Sequence, residues 1–274
     1  MSPKIDSFPK ADEIRSAFRV LDPAKHPYLL DLTRDEMYDN GETMAPGGLF
    51  LAKIMADKLD LRPGQKVLDL GCGRGQSSVF LAAKYRVNVV SVDLWVGSEE
   101  RRSKAAQAGV ESQITPLQGD IKRGLPSGLG GFDAIFAMQS FHTFGTSSGI
   151  LKYLSGLLKS DGKICIAQTC FSKESPTLPD VFQETDGWNA DYARYHSPEW
   201  WRRHFETTVG INVEFCEEIA DGEILWEDHA LYCGDRAGWT TEYLEKTAWL
   251  NQQLLWGRSN SPSLTHFMLM AYKS

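Results

Sequence analysis

Lys66-Val67-Leu68-Asp69-Leu70-Gly71-Cys72-Gly73-Arg74-Gly75-Gln76 carries an apolar strand into a glycine-rich turn at the start of a helix. Glycine at alternate positions of the turn removes the Cβ atoms that would keep a ligand off the backbone, and it admits dihedrals closed to other residues. The amides at the following helix start point outward, where a ligand meets them. Asp69, at the strand end, selects the ligand's charge. A dinucleotide-binding turn has the spacing G-x-G-x-x-G and receives a pyrophosphate, which a carboxylate at that place repels. Here the spacing is Gly71-x-Gly73-x-Gly75 behind an acid, and this suits a ligand with an ammonium group.

The residues a nucleoside needs follow downstream. Val87-Asn88-Val89-Val90-Ser91-Val92-Asp93 reads as a buried strand ending in an acid 22 residues after Gly71, close to the spacing at which a second-strand carboxylate binds ribose hydroxyls. Ile114 to Gln118 gives a third strand running into Gly119-Asp120-Ile121, and Phe132 to Met138 gives a fourth that opens with Phe132-Asp133. Taken singly, each acid reads equally well as a helix cap or a turn residue. Together they resemble class I S-adenosylmethionine-dependent methyltransferases of the small-molecule type, whose first motif, D-x-G-x-G-x-G, is matched at every fixed position. The resemblance covers about residues 45 to 170 closely and the rest in outline. It implies S-adenosylmethionine as cofactor. Asp69, Gly71, Cys72 and Gly73 would form its cradle, Asp93 with Leu94 beside it would take the ribose, and Gly119, Asp120 and Ile121 would meet the adenine. Gln139 occupies a position that touches the cofactor in such proteins, and Tyr38 would close over the methionine end.

Composition fits this without deciding it. A chain of 274 residues with 42% hydrophobic side chains can bury one full core, with or without a cap. A formal net charge of -7 argues against a nucleic-acid binder, because phosphate contacts need a basic surface, and favours a small-molecule substrate. There is no apolar run at the N-terminus and no stretch of eighteen uncharged apolar residues. The expectation is a cytoplasmic monomer or homodimer without signal peptide or membrane contact. The five cysteines, at 72, 165, 170, 216 and 233, form no Cys-x-x-Cys pair and read as reduced, mostly buried thiols without a metal.

Apolar spacing predicts helices over Asp12 to Val20 and Pro46 to Leu59, an N-terminal helical cover within residues 1–60. Strands near 66–70, 87–92, 114–118, 132–138 and 163–169 then alternate with helices near 76–84, 98–108 and 147–158, with Asp161-Gly162 as the turn before the fifth strand. Ile211 to Glu217 and Leu264 to Tyr272 complete an α/β fold with a doubly wound, mostly parallel seven-stranded sheet, for which the resemblance implies the order 3-2-1-4-5-7-6. The methyltransferase domain would span residues 61–274. Two connections, about 171–210 and 222–262, are far longer than ordinary loops and are expected to be helical lid insertions over the carboxyl ends of the strands.

Both insertions are rich in aromatic and ionisable side chains. Trp188, Tyr192, Tyr195, Trp200, Trp201 and His204 in the first, with Tyr232, Trp239, Tyr243, Trp249 and Trp256 in the second, read mainly as packing, the last two on one face of a long helix. Ser197-Pro198 is a helix start. Trp226-Glu227-Asp228-His229 combines an aromatic face with two acids and reads either as a site for a cationic amine or as a solvated helix start. The resemblance brings a methyl donor that is already activated, so the protein mainly aligns the acceptor and excludes water. Where an acceptor must lose a proton, His142, directly after the fourth strand, is the first candidate base, titrating near pH 6.5 when unperturbed; a lining or capping role is the alternative. His196 and Asp228 are candidate bases from the lid. No N-P-P-Y tetrapeptide follows the fourth strand, which argues against glutamine or adenine targets. Rival functions are a lipid-modifying enzyme of the cyclopropane-synthase type, a nicotinamide oxidoreductase, which Asp69 and the glycine spacing disfavour, and a non-catalytic binding module.

Overall fold

The structure, a computed structural model, describes residues 16–29, 31–177, 194–233, 247 and 262–273. Apolar runs bounded by glycine turns form seven strands: β1 Lys66–Leu70, β2 Asn88–Asp93, β3 Ile114–Gln118, β4 Phe132–Met138, β5 Leu158–Phe171, β6 Ile211–Glu218 and β7 Leu264–Lys273. They make one sheet of order β3-β2-β1-β4-β5-β7-β6, parallel except for β7, which runs antiparallel to both neighbours. Among the described residues the α-helical runs longer than one residue are α1 Arg34–Met37, α2 Gly48–Leu59, α3 Gln76–Tyr85, α4 Ser98–Gln107, α5 Ser148–Leu157, α6 Pro198–Glu206 and α7 Leu225–Cys233.

Strand side chains alternate between two apolar layers, as a sheet covered on both faces requires. Val67, Val89, Ala134 and Phe136 pack with Phe50 and Met55 of α2, Leu81 of α3 and Leu225 of α7. Leu68, Val90, Ile135 and Ile164 pack on the other face with Leu151 and Leu154 of α5 and Trp201 and Phe205 of α6. The register sets Leu68 level with Val90 of β2 and Ile135 of β4. The chain therefore leaves β1, β2 and β4 along one edge, at Gly71, Asp93 and Gln139.

Two local expectations are corrected. Asp161-Gly162 is not a turn ahead of the strand: α5 ends at Leu157, the strand begins at once, and the ladder steps from Phe132 opposite Leu158 to Ala134 opposite Lys163. The extra residues bulge out. The expected helix over Asp12 to Val20 lies outside the described residues up to 15, and residues 16–20 are a turn followed by irregular chain. The N–H groups of Arg19 and Leu21 donate to the carboxylates of Glu227 and Asp228, which competes with helical pairing. Of the described part of the expected cover, α1 and the loop into α2 reach the sheet edge. There Gly48, at φ +42, lies so close to the Met37 carbonyl that any Cβ would overlap it, which brings the loop down onto the sheet edge.

Candidate cofactor and active site

Above that edge is a cavity of about 390 Å³. One wall is the cover, Asp39 and Glu42 to Ala45; the floor is Leu70 to Arg74; the far side carries Asp93 to Trp95 and Gly119 to Lys122; and Met138 to Ser140, Thr143, Phe144 and Arg194 close the remaining side. The floor is shaped by glycine. Gly71, at φ +67, is packed so tightly under Ser140 that a Cβ would overlap its side chain, and a Cβ on Gly73, at φ +52, would lie 3.2 Å from Met44 Sδ of the cover. Side chains here would fill the space between floor and cover.

Asp93 is positioned before any ligand arrives. Its Oδ2 accepts from the Gly73 N–H at 2.8 Å, and its Oδ1 accepts from the N–H groups of Trp95 and Val96 at 2.8 and 2.9 Å. Carboxylate and glycine turn are thereby one rigid unit, with Asp93 in the cavity wall where a diol can reach it. Beneath the turn lies Arg101, a buried guanidinium from α4. It donates to Ser91 O at 2.7 Å, Leu117 O at 2.8 Å and Cys72 Sγ at 3.2 Å, tying together the ends of β2 and β3 and the cradle. Burial pushes the Cys72 thiol up, so it remains protonated.

Several residues expected in the site stand elsewhere. Asp69 is buried behind the cradle, not in it: its Oδ2 accepts from the hydroxyls of Ser77 and Ser78 at 2.7 and 2.6 Å, linking β1 to the start of α3. Burial, offset in part by those hydroxyls, raises its pKa to about 6, and its Oδ1 has no hydrogen-bond partner. Tyr38 is fully buried and does not line the cavity, because its hydroxyl is bound to Asp228. Asp228 is likewise withdrawn from the cavity and held by Tyr38 and Arg34. His196 lies flat on Trp200, with ring centroids 3.7 Å apart, and bonds Glu174 at 2.9 Å, so it too is outside the cavity. Trp226-Glu227-Asp228-His229 is neither an amine site at the cavity nor a solvated helix start, since all four side chains are buried.

His142 is buried directly between cavity-lining neighbours Ser140 and Thr143 in the chain, without lining the cavity itself. Its backbone N–H donates to Gln168 Oε1 at 2.8 Å, its ring meets Tyr195 edge-on at 4.9 Å, and its Nδ1 has no hydrogen-bond partner. Burial, and next the positive charge of Arg194, lower its pKa to about 4. Gly71, Cys72, Gly73, Leu94, Gly119, Asp120, Ile121 and Gln139 all line the cavity. Gln139 adopts φ +54, rare for a residue with a side chain, and spans from Pro46 O at 3.0 Å to the N–H of Thr169 at 2.9 Å. Ser197 caps α6 by accepting from the Trp200 N–H, with Pro198 in the first turn. Trp188, Tyr192, Trp239, Tyr243, Trp249 and Trp256 lie outside the described residues. Arg194, Lys122 and residues 39–45 escaped the sequence reading; only the Gly47-Gly48 pair hinted at a close approach there.

This sheet order over a glycine cradle defines a class I methyltransferase fold. Residues 67–162 match the methyltransferase domain family. Phosphoethanolamine N-methyltransferase 3 of Arabidopsis thaliana is 30% identical over 173 residues, 62% of this chain and 34% of the relative. Glycine/sarcosine/dimethylglycine N-methyltransferase of Actinopolyspora halophila is 28% identical over 175 residues, 61% of this chain and 29% of the relative. Among solved structures, Haemonchus contortus phosphoethanolamine N-methyltransferase 2 in complex with S-adenosyl-L-methionine superposes with a TM-score of 0.68 at 17% identity, covering 87% of this chain and 55% of the other. The chain carries a methyltransferase domain on this fold. It spans about a third of the length of the first curated relative, 34%.

Proposed function

We propose that the protein binds S-adenosylmethionine in the cavity and transfers its methyl group to a small molecule, with nitrogen as the favoured acceptor atom. The carrying observation is the rigid unit of Gly73 and Asp93, which holds a carboxylate at the sheet edge beside a floor where Gly71 and Gly73 leave no Cβ. The acceptor atom rests on the two relatives described above, both named as N-methyltransferases. Asp93 takes the ribose hydroxyls, Asp120 and Ile121 border the adenine, and Gly71 to Gly73 support the amino-acid end. The bound cofactor supplies a methyl group on a positively charged sulfur. The chain's part is alignment and exclusion of water: the cover closes one side, and Phe144 and Arg194 bound the acceptor end. His142, buried behind the cavity lining with its pKa lowered to about 4, is too withdrawn and too weak a base to take the proton of an ammonium group, so the amine reacts in its unprotonated form. Of the described residues of the two long insertions Arg194 reaches the cavity, whereas α6 and α7 pack on the two faces of the sheet instead of forming the expected lid, and the reaction runs in the cytoplasm, consistent with five free cysteines. No helix among the described residues is long and apolar enough to cross a membrane.

A screen of small primary, secondary and tertiary amines, hydroxyls and thiols, read by release of S-adenosylhomocysteine, tests this. Turnover with an amine is the predicted result. Turnover confined to hydroxyls or thiols would overturn the acceptor assignment, and no turnover with any class would overturn the transferase assignment.

A further inference from the structure

Helix α7 meets the N-terminal cover in a buried charged cluster that no step of the reaction uses. Asp228 accepts from the Tyr38 hydroxyl, from Arg34 Nη2 at 2.7 Å and from the Leu21 N–H at 3.1 Å. Glu227, equally without exposed surface, accepts from the Arg19 guanidinium, with Nε at 3.0 Å, and from the Arg19 N–H at 2.7 Å. The Arg34 guanidinium lies 5.5 Å from the Tyr38 ring and 5.3 Å from that of Tyr232. His229 Nε2 is 2.8 Å from Thr43 O; a carbonyl only accepts, so Nε2 carries the hydrogen and the buried Nδ1 is a bare lone pair without a partner. Two carboxylates stripped of water are tolerated only with their donors in place. The cluster therefore stands only while the cover is docked.

The cover segment is also gripped from its other side. Gln76 Nε2 donates to Met37 O at 3.1 Å, Thr43 Oγ1 donates to Gln76 Oε1 at 2.8 Å, and Gln139 Nε2 donates to Pro46 O at 3.0 Å. Between these two sets of bonds lie Asp39 and Glu42 to Ala45, the cover's wall of the cavity. Thr43 belongs to both: its side chain is held from the cradle side and its carbonyl from α7.

We infer that Asp228 and His229 are positioning residues that latch the cover over the cofactor, so that cofactor affinity is set in part by a helix outside the cavity. This rests on the cofactor reading given above. The test is calorimetric titration of S-adenosylhomocysteine into the wild type, Tyr38→Phe, His229→Ala and His229→Gln, with hydrogen exchange followed across residues 36–46. Tyr38→Phe and His229→Ala should each weaken binding about five- to tenfold, the effect of one lost hydrogen bond. Faster exchange should be confined to 36–46, with β1 and β4 unchanged. His229→Gln keeps an N–H against Thr43 O and should restore most of the affinity. Wild-type affinity in both Tyr38→Phe and His229→Ala would overturn the latch, as would a His229→Gln no better than the alanine variant, or loosening spread over the sheet. A wild type that binds no S-adenosylhomocysteine would refute the cofactor reading instead, and exchange at 36–46 in the unliganded variants would still decide whether the latch holds the cover.

Discussion

His142 shows how burial changes what a residue type implies. From sequence its proton would leave near pH 6.5, but desolvation, and next Arg194, bring the pKa to about 4. At neutral pH the imidazole is unprotonated, but a base of pKa about 4 that does not line the cavity is mismatched to a protonated amine, whose own pKa is about 10. The rate profile should therefore show no acid limb from a histidine near pH 6.5. His142→Ala should keep kcat within about tenfold of the wild type and leave S-adenosylhomocysteine affinity nearly unchanged. Steady-state rates across pH decide this. A loss of about 10² to 10⁴ in kcat would make His142 the base and contradict this reading. Asp69 is the complementary case. An acid at the end of β1 read as a partner for a cationic ligand, whereas its carboxylate spans to Ser77 and Ser78. Those two hydroxyls were visible in the sequence, but their reach back to the strand depends on how α3 leaves the turn.

The strands and their helices were legible because a parallel sheet covered on both faces demands unbroken apolar runs, and glycine pairs or acids mark where each run stops. Six strands lie within a residue of where those runs placed them and β5 starts five residues early, at Leu158, while the cradle, Asp93 and Gly119 to Ile121 reach the cavity together. What the sequence hid was long-range. Glu227 and Asp228 have the composition of an exposed helix start, and only the arrival of Arg19, Arg34 and Tyr38 from some two hundred positions away makes their burial tolerable. Arg101 sits among Glu99, Glu100, Arg102 and Lys104, where a solvated helix face is the natural reading, yet it alone turns inward to satisfy the carbonyls at the ends of β2 and β3. The bulge in β5 has the same origin: Asp161-Gly162 is a sound turn signal, and its placement within a strand follows from α5 ending against β4.

The whole molecule carries a charge balance that makes it sensitive to acid. Burial lowers His142 and His229 to about 4 and His266 to about 3 from an ordinary 6.5. The unfolded chain protonates these groups below pH 6.5 while the folded chain does not, so it binds more protons, and their contribution to stability is lost as pH falls from 6.5 towards 4. Asp69, raised from 3.8 to about 6, works in the opposite sense, because the folded chain holds its proton first. His204, lowered by burial, adds to the histidines' side and Glu218, raised by burial, to that of Asp69, so four imidazoles oppose two carboxyls. Thermal melts should therefore show a lower Tm at pH 5 than at pH 7; an equal or higher Tm at pH 5 would mean that these imidazoles are hydrated and titrate normally. The central claim, that the glycine cradle and Asp93 form a nucleoside-cofactor site for S-adenosylmethionine, is reached most directly by calorimetry. S-adenosylhomocysteine and NAD would each be titrated into the wild type and into Asp93→Asn. The wild type should bind S-adenosylhomocysteine and not NAD, and Asp93→Asn should weaken that binding by about ten- to a hundredfold, the range for lost charge-assisted hydrogen bonds. Binding of NAD, binding of neither ligand, or undiminished affinity in a folded Asp93→Asn would contradict it.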